Sequence, residues 1–249
     1  MRIIYSGICD IGLKREKNQD SIYTYSGKNN DISLFVVADG MGGYASGELA
    51  SQTITNGLSQ WIDRFSPDLY HGNFSKMMES LENKLEEINR EIFFNYNQKQ
   101  ICGSTCILLF IYKEYYGIIN IGDSRIYKKE GWKIRTIMKD DVWENSPDVQ
   151  QKFSKKEIIN HNNYGKLLQS VGTKENLILT SKTDVLKQGD TFLLCSDGLY
   201  KMCSERVLAR LLRMVSERNI EDLVKKMLAE SYKAGAGDNV SIIVVKCMI

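Results

Sequence analysis

Strand-length apolar runs that stop at an aspartate set the strongest constraint on this chain. Ser33-Leu34-Phe35-Val36-Val37-Ala38 leads into Asp39-Gly40-Met41-Gly42-Gly43, and Thr191-Phe192-Leu193-Leu194-Cys195 leads into Ser196-Asp197-Gly198. Runs of this length, rich in Val, Leu and Phe, predict buried strands. Asn18-Gln19-Asp20, Gly122-Asp123-Ser124-Arg125 and Gly237-Asp238-Asn239 repeat the placement of an aspartate beside a glycine or small polar residue. An aspartate at the mouth of a buried strand sits where sheet meets solvent, and neighbouring strands can gather several into one cluster. Crowded carboxylates repel and raise one another's pKa. A hard divalent cation removes the conflict, so the pattern points to a metal site.

The rest of the composition narrows the alternatives. With 249 residues, 43% of them hydrophobic, the chain can bury a substantial core. Lys+Arg 33 against Asp+Glu 31 leaves a formal charge of +2, which disfavours a dedicated nucleic-acid binder. The two histidines, His71 and His161, lie far apart, which disfavours a histidine zinc site or a histidine-centred triad. Six cysteines at 9, 102, 106, 195, 203 and 247 form no CxxC pair, and most sit in apolar runs. That usage fits free thiols in a reducing cytosol, so a cytoplasmic protein is expected. No stretch approaches the ~20 apolar residues of a membrane span, and no signal segment or membrane anchor is expected.

Only Pro67 and Pro147 interrupt the chain, and no linker composition divides it, so one domain over residues 1–249 is expected. Strands are predicted at 3–9, 21–26, 32–38, 104–112, 115–121, 124–129, 133–137, 177–186, 191–196 and 240–247. Phe110 to Gly117 and Tyr127 to Trp132 read as hairpins, which imply antiparallel sheets. Two helix pairs follow from apolar spacing. Leu49, Ile54, Leu58, Trp61, Ile62 and Phe65 mark the first helix, and Met77 or Met78, Leu81, Leu85, Ile88 and Ile92 the second. Val207, Leu208, Leu211, Leu212 and Val215, then Val224, Met227, Leu228 and Ser231, mark the other pair. The expected class is α+β: a four-layer α-β-β-α sandwich, two antiparallel sheets face to face with a helix pair outside each. Residues 139–176 are polar and weakly periodic, and read as an excursion from the core.

The chemistry follows from the carboxylates. Asp39 can bridge two cations, and the Gly40 carbonyl can add an oxygen ligand because no Cβ blocks approach. Asp197 and Asp238 can complete the first ion. Oxygen donors suit Mg²⁺ or Mn²⁺. Two such ions at ~3.5–4 Å make a hydroxide nucleophile at neutral pH, suited to phosphate-ester hydrolysis by in-line attack. Arg15, five residues before Asp20, can grip phosphate oxygens through parallel hydrogen bonds; a solvated basic turn is the competing reading. Asp123 can join the cluster or merely cap a tight hairpin turn.

Taken in order, Arg15…Asn18-Gln19-Asp20, Asp39-Gly40-Met41-Gly42-Gly43…Gly47-Glu48, Gly103-Ser104-Thr105, Gly122-Asp123-Ser124-Arg125, Ser196-Asp197-Gly198-Leu199 and Asp238-Asn239-Val240-Ser241 resemble the PP2C-type (PPM) metal-dependent serine/threonine phosphatases, most of all the compact bacterial members. The resemblance spans nearly the full chain. It implies the same sandwich fold, and hydrolysis of phosphoserine and phosphothreonine by water or hydroxide activated at a binuclear Mn²⁺ or Mg²⁺ centre. By resemblance, Asp39, Asp197 and Asp238 hold the first ion, and Asp39 with the Gly40 carbonyl holds the second. Asp20 orients metal-bound water, Arg15 binds the substrate phosphate, and Asp123 with Asp197 corresponds to a third, weaker ion of bacterial relatives. The excursion after Asp140 matches the family's flap. Phosphorylated proteins, with a cognate serine/threonine kinase, are the implied partners; nucleic acid and membranes are not, and a monomer is expected.

Three residues depart from the family pattern. Gln19 replaces a common Glu and makes one second-ion contact neutral. Met41 replaces a histidine thought to act as general acid in some eukaryotic members, which leaves leaving-group protonation to metal-bound water. Asp141 replaces the histidine of a common Lys-Asp-His-Ser. Two rivals stand beside the phosphatase reading: a catalytically dead relative, disfavoured because Asp39, Asp197 and Asp238 are all present, and a metal phosphodiesterase on nucleic acid, disfavoured by the near-neutral charge. The G-x-G-x-x-A spacing at Gly40 to Ala45 mimics a dinucleotide fingerprint. The acid ~20 residues on is Asp63, which falls inside a helical period instead of at a strand end.

Overall fold

The computed structural model describes residues 2–27, 31–42, 46–97 and 101–248. The chain opens with β1 (Arg2–Asp10), β2 (Asp20–Ser26) and β3 (Ile32–Gly42), then α1 (Ser46–Asp63) and α2 (Phe74–Tyr96). Next come β4 (Cys102–Ser104), β5 (Cys106–Tyr112), β6 (Tyr115–Ile121), β7 (Arg125–Glu130) and β8 (Lys133–Thr136). Short helices α3 (Pro147–Lys152) and α4 (Lys155–Ile159) precede β9 (Thr180–Val185) and β10 (Thr191–Cys195). The single turn α5 (Asp197–Tyr200), helices α6 (Glu205–Arg213) and α7 (Ile220–Lys233), and β11 (Val240–Met248) follow.

One sheet runs β1-β11-β10-β7-β8 and the other β2-β3-β5-β6-β9, with β4 paired to the end of β3. Neighbouring strands in both are antiparallel. The apolar runs are continuous because each inner strand is covered on both faces. In β5, Ile107, Leu109 and Ile111 point between the sheets, whereas Cys106, Leu108 and Phe110 point at α1 and α2. In β11, Ile243 and Val245 point between the sheets, and Ile242 and Val244 toward α6 and α7. This period-2 split gives three apolar layers between four structural layers, as the sequence predicts. Each such fully buried side chain contributes about 1.5–3 kcal/mol.

The hairpins form as expected, turning at Lys113-Glu114 between β5 and β6 and at Gly131-Trp132 between β7 and β8. Helix α2 buries Met77, Met78, Leu81, Leu85, Ile88 and Ile92. Helix α1 departs in detail: Leu49 is 39% exposed, and the buried face carries Ala50, Ser51, Ile54, Leu58 and Ile62. Small residues at 50 and 51 let this end of α1 approach β3. Phe65 lies beyond the helix and packs on Trp61 and Phe110.

The segment 139–176 has more structure than its composition predicts. The α4 turn carries a reciprocal cap between Ser154 and Glu157. Trp143, Phe153 and His161 form an aromatic cluster, with Trp143 and His161 stacked at 4.1 Å. Bridges Val142–Leu167 and Ser104–Val171 tie the segment to itself and to β4.

Candidate metal centre

The strand order brings the aspartates to one end of the sandwich. Asp20 begins β2 directly opposite Asp39 on β3. Asp39 shares its face with Phe35 and Val37, the face between the sheets. From the other sheet, β10 delivers Ser196 and Asp197, and Asp238 precedes β11. Asp123 lies between β6 and β7, which belong to opposite sheets. The segment Gly122-Asp123-Ser124 is therefore the crossing between sheets, not the tight hairpin turn weighed from sequence.

The carboxylates act on one another. Burial first, then Asp20, Asp197, Asp123 and Asp238, push the Asp39 carboxyl well above its ordinary range. Burial, followed by Asp197, pushes Asp123 up as well. Asp20 is buried and accepts a hydrogen bond from Ser196 Oγ at 2.8 Å. Desolvation raises its pKa to about 6 against the opposing hydrogen bonds from Ser241 and Ser196, with Asp197 and Asp238 adding to the rise. A folded-state value above the ordinary 3.8 means the native protein binds the extra proton. Stability of the metal-free protein should therefore fall as pH rises from about 4 to about 6 and stay lower above that. Chelator-treated protein melted across this range checks it: Asp20→Asn should make the profile shallower, leaving the share of Asp39 and Asp123, and an unchanged slope would refute the assignment.

Among the described residues, two side-chain cations pair with these carboxylates. Arg15 Nη2 donates to Asp238 Oδ2 at 2.8 Å, and Lys201 Nζ pairs with Asp197 Oδ2 at 2.5 Å. Among the described residues, no three acidic, histidine or cysteine side chains stand at the spacing of one ion's ligands. The donors are gathered within electrostatic reach, and their chemistry, carboxylates with a glycine carbonyl, fits hard divalent ions.

Neighbouring backbone fixes these groups. The Asp39 N–H donates to Thr105 Oγ1 at 3.0 Å, the Thr105 N–H donates to the Asp39 carbonyl at 2.9 Å, and Thr105 and Ser124 share a hydroxyl hydrogen bond at 2.7 Å. Asn239 Nδ2 donates to the Ile11 and Lys17 carbonyls, and its Oδ1 accepts from the Gln19 N–H. Asn239 thereby holds the loop that carries Arg15 beside Asp238. Within Gly103-Ser104-Thr105, the Thr105 hydroxyl gives a direct hold on Asp39. Lys201 went unseen in the motifs; its one signal is a spacing of four residues from Asp197 across a helical turn.

Gly40 is required by space. A Cβ there would lie 2.1 Å from the Gly47 carbonyl oxygen and 2.4 Å from that of Gln19. Gly40→Ala is expected to cost about 3 kcal/mol or more, because backbone on both sides must move. A thermal melt within a degree or two of the parent would contradict this. Gln19 Nε2 reaches the Gly42 carbonyl at 3.5 Å. Gly43, Tyr44 and Ala45 of the glycine-rich motif lie outside the described residues.

The departure at Asp141 has a local explanation. Its Oδ2 accepts from the Gly122 N–H at 3.2 Å and from Gln169 Nε2 at 3.0 Å. The side chain pins the start of the 139–176 segment to the inter-sheet crossing. Asp140 beside it accepts from Arg125 through Oδ2, from Nε at 2.9 Å and Nη2 at 2.8 Å, and through Oδ1 from Nε at 3.2 Å.

With a two-sheet sandwich and a carboxylate cluster at its end, comparison with known proteins becomes specific. The protein phosphatase 2C family model matches residues 14–231, and the chain belongs to that family. The serine/threonine phosphatase stp of Listeria monocytogenes serotype 4b (strain F2365) is 26% identical over 241 residues, covering 95% of this chain and 93% of that one. Protein phosphatase PhpP of Streptococcus pneumoniae is 25% identical, covering 96% and 95%. The solved S. agalactiae serine/threonine phosphatase superposes with a TM-score of 0.85 at 25% identity, over 99% of this chain and 100% of that one. The PstP catalytic domain, solved in complex with 2 manganese ions, superposes with a TM-score of 0.79 at 25% identity, over 99% of each chain.

Proposed function

We propose that this single-domain chain is a metal-dependent protein phosphatase that hydrolyses phosphoserine and phosphothreonine. The observation that carries the reading is the convergence of Asp20, Asp123, Asp197 and Asp238 within electrostatic range of Asp39 at one end of the sandwich. A PstP relative holding two manganese ions supports Mn²⁺ or Mg²⁺ as the metals here. Asp39, Asp197 and Asp238 would hold one ion, and Asp39 with the Gly40 carbonyl the other. When bound, the ions lower the pKa of water and neutralise phosphate charge.

The chain's own residues do the rest. Asp20, fixed by Ser196, orients the attacking water toward phosphorus, in line with the leaving serine or threonine oxygen. Arg15 spends one donor on Asp238, and the remaining guanidinium N–H groups can take phosphate oxygens. Thr105 keeps Asp39 in register during turnover. Met41 has no proton to give, so the leaving oxygen takes its proton from water. Partners of matching chemistry are phosphoproteins and the kinase that modifies them. A cytoplasmic site is supported by six free cysteines, and no helix among the described residues is long and apolar enough to cross a membrane.

The test is phosphate release from a phosphothreonine peptide with and without Mn²⁺, with a phosphotyrosine peptide for comparison. Release should require Mn²⁺ or Mg²⁺ and favour phosphothreonine. Full release in excess chelator would overturn the reading.

A further inference from the structure

Lys201 is the cation of the cluster that the phosphatase reading leaves without a role. It follows the α5 turn, with Nζ 2.5 Å from Asp197 Oδ2 and 4.0 Å from Asp123 Oδ2. The Asp197 and Asp123 side chains are only 18% and 13% exposed, against 54% for Lys201, so the lysine reaches in from the solvent side. Burial alone would lower its pKa, but the Asp197 hydrogen bond and the charges of Asp197, Asp123 and Asp39 more than offset that, and the ammonium stays charged.

The neighbouring groups hold Asp123 in place for this contact. Tyr200 Oη donates to Asp123 Oδ2 at 3.3 Å. The Arg125 guanidinium lies 3.7 Å from the centre of the Tyr200 ring, and Arg125 is itself held by Asp140. The same Asp123 oxygen therefore faces both the Tyr200 hydroxyl and the Lys201 ammonium. On Asp197 the lysine engages Oδ2, which leaves Oδ1 for an ion shared with Asp39 and Asp238.

We propose that Lys201 is a resident cation at the Asp123–Asp197 pair, so that this chain takes two divalent ions and excludes a third from that pair. The inference rests on the metal-dependent reading above. Its physical basis is charge: an ammonium already neutralising two carboxylates removes most of their attraction for a further ion and repels it directly. A side chain tethered four residues from Asp197 also competes at high effective concentration. The resemblance that assigns Asp123 and Asp197 to a third ion would then not hold for this chain.

Equilibrium dialysis of the full chain against Mn²⁺, with bound metal counted by atomic absorption, tests this without reference to activity. Wild type should take up two Mn²⁺ per chain. Lys201→Met, which keeps the stem and removes the charge, should take up three, the third at least about tenfold tighter than any third ion in wild type. The double variant Lys201→Met/Asp123→Asn should return to two, and Lys201→Arg, which keeps the charge, should stay at two. Three tight ions in wild type, or a Lys201→Met variant matching wild type in number and affinity, would overturn the proposal. Wild type binding no divalent ion would instead strike down the metal-dependent reading, and this inference with it. Thermal melts of the metal-free variants confirm that each is folded before its metal is counted.

Discussion

Asp39→Ala should abolish metal-dependent phosphate release, lowering kcat by about 10³-fold or more, while the metal-free protein becomes no less stable. The two halves of this result have one cause. Asp39 faces Asp20, Asp197, Asp123 and Asp238, and burial raises its carboxyl well above the ordinary range. Without a divalent ion the charge is a cost, so removing it should not lower the melting temperature of chelator-treated protein. With ions bound the same carboxylate would bridge both, and its loss should remove several kcal/mol of transition-state stabilisation. Asp39→Asn separates charge from shape, since the backbone bonds to Thr105 persist in it. Phosphate-release kinetics beside melts with and without Mn²⁺ measure both halves. Turnover within tenfold of wild type in Asp39→Ala would remove Asp39 from the centre.

Arg15→Ala should raise KM far more than it lowers kcat, with a total loss in kcat/KM of about 10²-fold. That is the expected worth of two charge-assisted hydrogen bonds to phosphate, about 1.5–3 kcal/mol each with part recovered by water. Arg15 is exposed, and its pairing with Asp238 is a surface contact worth little to stability. The melting temperature should therefore barely move, which distinguishes phosphate binding from a structural role. Arg15→Lys keeps the charge but not the planar fork, and should recover only part of the loss. A kcat/KM within threefold of wild type in Arg15→Ala would leave the basic turn as solvated surface. Steady-state kinetics on the phosphothreonine peptide decide between the two.

Much of this architecture was legible because burial on both faces leaves a plain mark in sequence. The runs before Asp39 and Asp197 form β3 and β10; β10 keeps its expected bounds to within a residue, whereas β3 continues through Asp39 to Gly42 because Gly40 to Gly42 pair with β4, and the alternation within β5 and β11 is the sandwich itself. Helix faces were read to within a residue or so. Leu49 was misplaced because a helical period tolerates a neighbour on the stripe's edge, whereas close approach of α1 to β3 selects small Ala50 and Ser51. The 139–176 segment reads as a polar, weakly periodic excursion because its order comes from helices of six and five residues, caps and the cluster of Trp143, Phe153 and His161. None of these produces a period long enough to recognise.

What the sequence determined by itself was the strand and helix pattern, the two-sheet class and which aspartates lie on or beside buried strands. These follow from local periodicity and from the kinds of residue a buried strand demands. Tertiary structure alone decided that Asp123 sits on a crossing between sheets, that Asn239 ties the Arg15 loop beside Asp238, and that Lys201 enters the carboxylate cluster. The physical reason is that residues far apart in the chain meet only through strand order and hydrogen bonding between elements, which no local pattern encodes. Charge compensation at a crowded site is settled by whichever cations the folded chain brings within a few ångströms.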